Sequence, residues 1–193
     1  IRKDFSGKLF LYSEGEWKPI GSEALLPRLR RVRRHGSELL ITGDAGAAFR
    51  WTTNGVVPLH NNYRYDLHDV ISFGESGTFI CGDFGAILQE APRQSNEGPD
   101  TAIQSNNWVS LSKGETQKTL RTLWPIDERN LIAAGDAGVV LHFDGNSLTL
   151  TELPEPLRIH DIWGSSPKNI YAVCDQATIF HFDGNSWDVV HRG

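Results

Sequence analysis

The side chains best suited to binding or chemistry recur in two adjacent rows along the chain. The first row comprises Arg30, His68, Arg121 and His160, and the second comprises Arg31, Asp69, Thr122 and Asp161. If the strands that carry them line a common axis, the first row forms a cationic ring and the second a mixed one. Such a ring suits an anion or an acidic loop. The alternative, which we favour, is a set of cross-repeat salt bridges and hydrogen bonds, for example between His68 or His160 and a neighbouring aspartate.

A dense block of positive charge surrounds the first of these positions. Its members are Arg28, Arg30, Arg31, Arg33, Arg34 and His35. Such a block can bind nucleic acid, but this one has no interleaved aromatic residues and the chain carries a net charge of −5. We therefore expect a partner-facing patch or a solvated edge, and neither nucleic acid nor membrane as partner. The predicted partner-binding residues are Arg30, Arg31, Arg33, Arg34, His68, Arg121 and His160, and the expected partner is another protein with an acidic surface.

Catalytic templates are missing from the sequence. It contains no nucleophile elbow, no phosphate loop and no His/Cys spacing that would hold a metal. We accordingly predict no catalytic residue, metal or cofactor. No apolar run approaches the roughly 18 residues of a membrane span. The chain begins at Ile1 without any methionine, which indicates a cropped or processed chain.

A repeat organises the chain. Gly43-Asp44-Ala45-Gly46 recurs as Gly82-Asp83-Phe84-Gly85 and Gly135-Asp136-Ala137-Gly138, with a degenerate copy at Cys174-Asp175-Gln176-Ala177. The four aspartates are separated by 39, 53 and 39 residues, and His142-Phe143-Asp144-Gly145-Asn146-Ser147 returns 39 residues later. The long interval contains a polar insertion from Glu90 to Asn107. We interpret it as a flexible loop, the alternative being an arm that grips a partner.

Each repeat is predicted to contain four strands. In the last one they are Ile159–Trp163, Asn169–Cys174, Thr178–Phe182 and Trp187–His191, rich in β-branched and aromatic residues. The predicted breaks are Gly164-Ser165-Ser166-Pro167, Asp175-Gln176 and Asp183-Gly184-Asn185. Four antiparallel strands every 39 residues is the period of a β-propeller blade. We predict an all-β fold, a single β-propeller domain over residues 1–193. Its units are 7–21, 26–61, 65–114, 119–155 and 156–193, which makes four whole blades and a partial fifth at the N-terminus.

The repeated turns have structural explanations that we favour over ligand binding. In Gly-Asp-x-Gly, the aspartate is expected to accept backbone N–H bonds and the glycines to supply unusual φ angles. Calcium needs about six to eight converging oxygens, which one aspartate per blade does not supply. The Asp-Gly-Asn-Ser turns are expected to join strands rather than bind sugar. We expect Trp17, Trp108 and Trp187 to pack between blades, and Trp124 and Trp163 to lie in the interblade core.

Two cysteines bear on the cellular compartment. Cys81 and Cys174 fall in separate, non-adjacent repeats, so we expect both to be unpaired. Unpaired thiols slightly favour a reducing compartment such as the cytoplasm.

The last repeat carries a family resemblance. The segment from Trp163 to Val173, followed by His181 to Trp187, resembles the bacterial YVTN/BNR-like propeller repeats. Its Asp-Gly-Asn-Ser-Trp turn is similar to the Asp-box of sialidases, but one residue shorter. The resemblance implies a scaffold that unrelated activities share. Sialidases need an arginine triad and a Tyr/Glu pair on the channel face, whereas this basic row alternates with histidine, and Tyr63 and Tyr65 lie in one connecting loop.

The expected function is that of a non-catalytic scaffold that engages another protein at one face of the propeller. Such a scaffold could be an assembly factor, or an inhibitor or immunity-type partner of a secreted toxin. The alternatives are a lectin-like propeller with one shallow site per blade and a sialidase-like glycoside hydrolase. A lectin should repeat its binding side chains from blade to blade. Here only turn and core positions repeat, and such divergence suits a single asymmetric partner.

Overall fold

The strands of the molecule are short and pair antiparallel. The computed structural model describes residues 7–20, 26–52, 55–74, 77–90 and 108–193. The strands are β1 (Leu9–Ser13), β2 (Glu16–Ile20), β3 (Leu29–His35), β4 (Glu38–Gly43), β5 (Ala48–Thr52), β6 (Gly55–Pro58), β7 (Leu67–Ser72), β8 (Thr78–Gly82), β9 (Ile87–Glu90), β10 (Trp108–Ser110), β11 (Leu120–Pro125), β12 (Leu131–Gly135), β13 (Val139–Phe143), β14 (Leu148–Glu152), β15 (Ile159–Ser166), β16 (Asn169–Cys174), β17 (Ile179–Phe182) and β18 (Trp187–His191).

These strands form one hairpin and four four-stranded sheets, in which each strand pairs with its neighbour in sequence. The hairpin is β1–β2; we call the sheets A (β3–β6), B (β7–β10), C (β11–β14) and D (β15–β18). The helical segments among the described residues are single 3₁₀ turns, and none of these residues forms a helix able to span a membrane. The predicted all-β class with four-stranded antiparallel units is therefore confirmed. Residues 91–107 of the predicted arm lie outside the described residues.

One predicted turn in sheet D is wrong. Strand β15 was expected to end at Trp163, but it continues to Ser166, which pairs with Asn169. A register shift between Gly164 and Ser166 absorbs the extra residue. The turn then consists of Pro167 and Lys168. Proline suits a turn, and it has no N–H to donate to a hydrogen bond between strands.

The hydrophobic core lies between the sheets. Leu40 of sheet A packs with Leu67 and Val70 of sheet B, and further clusters fill the spaces between sheets B and C and between sheets C and D. Trp187 is buried, while Trp108 and Trp124 pack partly buried against these clusters, as predicted. For two tryptophans the prediction is wrong. Trp17 is 69% exposed and packs against Tyr12 within its own hairpin. Trp163 is 62% exposed, while other residues of sheet D form the described core cluster with sheet C.

The Gly-Asp-x-Gly turns bring successive sheets into close contact. In the first, Ala45 has φ 55° and Gly46 has φ 77°, and the equivalent residues of the next two turns are also left-handed. A Cβ on Gly46 would lie 1.7 Å from the carbonyl oxygen of Tyr63, in the segment that leads into sheet B. The Gly46 N–H donates to the Tyr65 carbonyl at 2.7 Å. The turn glycines therefore supply the predicted φ angles and also the room for the incoming chain.

Candidate partner-binding site

A β-bulge recurs at the same point of every sheet. The register between the first and second strands shifts between Leu29 and Arg31, Leu67 and Asp69, Leu120 and Thr122, and Ile159 and Asp161. The bulged residues are therefore those of the first row: Arg30, His68, Arg121 and His160. An extra residue in one strand re-aims its side chain relative to simple alternation. The repeat in the sequence identifies the first row, but the alternation of side chains along a regular strand does not predict the bulge that orients them.

Each bulged side chain contacts the turn aspartate of its own sheet, 14 or 15 residues later in the chain. Arg30 Nε donates to Asp44 Oδ1 at 2.5 Å, and His68 Nε2 lies 2.9 Å from Asp83 Oδ1. Arg121 donates to Asp136 through Nε and Nη2, at 2.6 and 2.9 Å. His160 Nε2 lies 2.6 Å from Asp175 Oδ1.

These contacts correct two expectations. The turn aspartates were expected to accept backbone N–H bonds through their side chains, but their carboxylates bind the first-row side chains instead. The first row is a ring of ion pairs and hydrogen bonds, which is the alternative favoured from the sequence over an open cationic ring. The expected pairing of His68 and His160 with aspartates is confirmed, but each pair lies within one sheet rather than between repeats.

In sheets B, C and D, the residue just before the bulged first strand links that sheet to the preceding one. The Thr119 hydroxyl, just before sheet C, donates to Asp83 of sheet B at 3.0 Å. Arg158, just before sheet D, donates through Nε to Asp136 of sheet C at 2.9 Å. Asp66, before sheet B, accepts a hydrogen bond from Arg30 of sheet A. The predicted cross-repeat bonds therefore exist, two positions upstream of the first row.

The second row forms a buried polar centre on Asp69, which is 0% exposed. Arg33 donates to it through Nε at 3.0 Å and Nη2 at 2.7 Å, and Arg31 Nε lies 3.3 Å away. The backbone N–H of Leu123 in sheet C donates to the same carboxylate at 2.9 Å. Thr122 donates to Asp161 of sheet D at 2.7 Å. A buried carboxylate needs such partners. The bonds to Asp69 therefore link sheets A, B and C.

The arginine–aspartate pairs of the two rows favour the ionised forms of their members. The hydrogen bond from Arg121 lowers the pKa of Asp136, and the same bond raises the pKa of Arg121. The hydrogen bond to Asp69 likewise raises the pKa of Arg33. These groups remain charged at neutral pH, so they can orient a charged ligand without exchanging protons with it.

A cavity of about 380 Å³ opens beside the bulges. Its lining residues are Arg28, Leu29, Arg30, Arg31, His68, Arg121 and His160. Five predicted site residues thus share one cavity, contributed by all four sheets. Arg33 and Arg34 do not line it, because β3 runs away from the cavity towards the turn at Gly36, where Arg34 donates to the Gly36 carbonyl. Arg28, which was not among the seven predicted partner-binding residues, does line the cavity.

Arg28 differs from the other cavity arginines. Within the part of the chain that the structure describes, its side chain makes no hydrogen bond or ion pair, whereas Arg30, Arg31 and Arg121 are each paired with aspartates. A guanidinium has five N–H donors, and the Asp136 pairing of Arg121 uses two of them. The cavity therefore offers an unpaired cation and spare N–H donors to a ligand with acceptor oxygens.

The Asp-Gly-Asn-Ser turns behave as predicted. Asp144 accepts hydrogen bonds from the backbone N–H groups of Asn146 at 2.9 Å and Ser147 at 2.8 Å, and Asp183 does the same in sheet D. These bonds lower the pKa of both aspartates. The carboxylates are thus occupied in closing the turns. The described residues contain no group of three or more acidic, histidine or cysteine side chains that could hold a metal ion.

No protein-family model matches the sequence, and no curated protein sequence matches it significantly. Solved structures do match. YCF48 from Cyanidioschyzon merolae is 12% identical with a TM-score of 0.68, over 92% of this chain and 63% of that one. The WD40 β-propeller domain of Doa1 is 11% identical with a TM-score of 0.64, over 89% and 56%. The WD40 repeats of RRP9 are 12% identical with a TM-score of 0.62, over 85% and 53%.

The chain folds as a β-propeller. Each of sheets A to D is one blade, and the first strands β3, β7, β11 and β15 carry the ring of paired side chains. The chain spans between about half and two thirds of the length of the structures it matches. At these identities the likeness establishes the fold alone, so the function must be argued from the cavity itself.

Proposed function

We propose that this propeller is a non-catalytic scaffold that binds another protein at the face bearing the cavity, through an acidic segment of that partner. The observation that carries the proposal is the convergence of Arg28, Arg30, Arg31 and Arg121 on one cavity. Carboxylates are good ligands for guanidinium groups, because planar forks of N–H donors match their oxygens. Ion pairs with aspartates fix the guanidinium groups of Arg30, Arg31 and Arg121 in place, which reduces the ordering cost of binding.

The lining of the cavity favours a protein partner over a carbohydrate or a glycoside substrate. Its residues differ from blade to blade: arginine and histidine alternate in the first row, and only blade A contributes the residue before its first strand, Arg28, which has no partner among the described residues. A lectin with one site per blade would repeat them. A glycosidase of the usual kind needs two carboxyl groups facing the substrate, and none lines this cavity.

The resemblance to YVTN/BNR-like repeats is compatible with this role. We infer membership of that repeat group from the motif around Trp163 and from the Asp-Gly-Asn-Ser turns, together with the propeller fold. Within it, an assembly factor or an inhibitor-type partner fits a single asymmetric site. Both roles require one specific protein contact and no chemical step.

Arg28 provides the cleanest test of the proposal. Reversing Arg30 or Arg31 would place a new carboxylate beside Asp44 or the buried Asp69, so those variants would report on folding. Arg28→Glu changes a side chain with no described partner. The tagged protein would be used to recover and quantify partners from its native host. We expect Arg28→Glu to weaken the recovered interaction by at least about tenfold. Arg28→Lys keeps the charge but not the planar fork, so it should weaken the interaction less than Arg28→Glu.

The matched control is Lys168→Glu. Lys168 is an exposed cation in the turn after β15, at the opposite end of blade D from His160. Reversal there changes the net charge of the protein by the same amount but should leave partner recovery intact. Equal recovery with wild-type protein and with Arg28→Glu, at both low and high salt, would rule out this face.

A further inference from the structure

Phe84 is an unusual residue for its position. It occupies the third position of the Gly-Asp-x-Gly turn of blade B, with φ 55°, and 53% of its surface is exposed. The same position holds Ala45 in blade A and Ala137 in blade C, with nearly the same φ. A bulky residue in the left-handed region is uncommon, and neither folding nor solubility favours an exposed phenyl ring there. This blade therefore displays an aromatic side chain that the turn does not need.

A second exposed ring lies against Phe84. Tyr65, 54% exposed, has its ring centroid 4.6 Å from that of Phe84 at an interplanar angle of 65°. Tyr63 packs against Tyr65, with the two ring centroids 5.6 Å apart. The Tyr63 hydroxyl donates to the Asp83 carbonyl at 2.5 Å, and burial raises its pKa to about 12, so it stays a donor at neutral pH. Tyr65 therefore packs between Phe84 and a partly buried ring that is itself fixed by a hydrogen bond.

This aromatic pair is connected to the cavity through the residues next to it in the chain. Asp83 directly precedes Phe84 in the chain, and its carboxylate contacts His68, which lines the cavity. Arg64 lies next to Tyr65 in sequence and is exposed. Asp66, which follows Tyr65, accepts a hydrogen bond from Arg30 of the cavity. Each exposed ring is therefore one residue away from an aspartate that binds a cavity side chain. Buried aromatic anchors beside charged groups are typical of the residues that dominate binding energy in protein interfaces.

We propose that Tyr65 and Phe84 form a platform for an aromatic side chain of the partner, next to an acidic residue of the same segment that enters the cavity. This inference rests on the proposed function and adds the motif that the face would recognise. An aromatic ring fits better than an aliphatic chain, since a third ring can extend the edge-to-face arrangement that these two already make. The basic cavity selects the neighbouring carboxylate by charge complementarity.

The test uses a displayed library of short random peptides, selected on the purified protein. We expect the enriched peptides to carry an aromatic residue within a few positions of aspartate or glutamate. Binding of one such synthetic peptide should fall by at least about tenfold with Phe84→Ala. That variant should fold, because alanine already occupies the position in two other blades. Phe10→Ala is the control: it removes an equally exposed ring from the N-terminal hairpin and should leave binding unchanged.

The outcomes separate the two proposals. One outcome would overturn the platform and leave the cavity proposal standing. In it, the selected peptides are acidic but contain no aromatic residue, bind the Phe84→Ala variant and the wild type with equal affinity, and bind the Arg28→Glu variant more weakly. Peptides that are not acidic, and that are insensitive to Arg28→Glu and Phe84→Ala, would overturn both. Loss of binding with both variants, and not with Phe10→Ala, would support both.

Discussion

Arg33 of blade A donates two hydrogen bonds, of 3.0 and 2.7 Å, to the carboxylate of Asp69 in blade B. Asp69 is fully buried, and blade C contributes a third donor, the Leu123 N–H, at 2.9 Å. One carboxylate therefore connects three blades. Its position on the first strand of its blade places this connection next to the cavity, so the stability of the ring and the geometry of the site depend on the same residue.

Asp69→Ala should strongly destabilise the protein. The substitution leaves Arg33, Arg31 and the Leu123 N–H without their acceptor, and removing one partner of a buried ion pair costs about 3–5 kcal/mol. Urea denaturation followed by tryptophan fluorescence would measure the change. Asp161→Ala is the control: it is the second-row residue of blade D but is exposed, and should cost about 1 kcal/mol. Similar losses for the two variants would contradict the role assigned to Asp69.

The Arg121–Asp136 pair should make stability depend on acid pH. Its hydrogen bond lowers the folded-state pKa of Asp136, so its contribution is complete above the unfolded value of about 3.9. It is lost as the pH falls through the lowered folded-state pKa. The difference in unfolding free energy between wild type and Arg121→Gln should therefore shrink over this acid range, as measured by urea titrations at a series of pH values. Lys168→Gln should show no such trend, and a constant Arg121→Gln difference down to the lowest pH would refute the assignment.

Gly46→Ala should destabilise more than Gly15→Ala. Both glycines have positive φ, 77° and 84°, so both substitutions incur a backbone cost of about 1–2 kcal/mol. Only at Gly46 would the new Cβ also collide with a carbonyl, that of Tyr63, while at Gly15 nothing lies within 4 Å. We expect Gly46→Ala to lose at least about 1 kcal/mol more, measured by thermal or urea unfolding. Equal losses would show that the close approach of blades A and B at this turn carries no energetic weight.

Both cysteines should be unreactive in the folded protein. Cys81 and Cys174 are unpaired and buried. Burial raises the pKa of Cys81 well above its ordinary value and that of Cys174 to about 11, so little thiolate forms near pH 8. A colorimetric disulfide reagent should react slowly with native protein and rapidly with both thiols in urea. A thiol that reacts quickly in the native state, or an intact mass that indicates a disulfide, would contradict this expectation.

The first row shows how far pattern reasoning reaches. The spacing of Arg30, His68, Arg121 and His160 correctly indicated that equivalent side chains meet at one place, and five of the seven predicted site residues line the cavity. Arg33 and Arg34 do not line it, although the sequence groups them with Arg30 and Arg31 in one charge block. In a strand, successive side chains point to opposite faces of the sheet, and each residue lies further along the strand from the cavity. Arg28 was left out because it precedes the strand.

The sequence by itself determined the blade. Its 39-residue period, its Gly-Asp-x-Gly and Asp-Gly-Asn-Ser turns and its short apolar strands all depend on local chemistry and on one repeating core, and these features are readable along the chain. Only the tertiary structure decided the electrostatics of the site. The bulges turn the first row onto the turn aspartates, and packing brings Asp69 to arginines of another blade. Pairing between charges depends on distances across blades, which no spacing within the chain specifies, and it leaves Arg28 as the cavity arginine without a partner among the described residues.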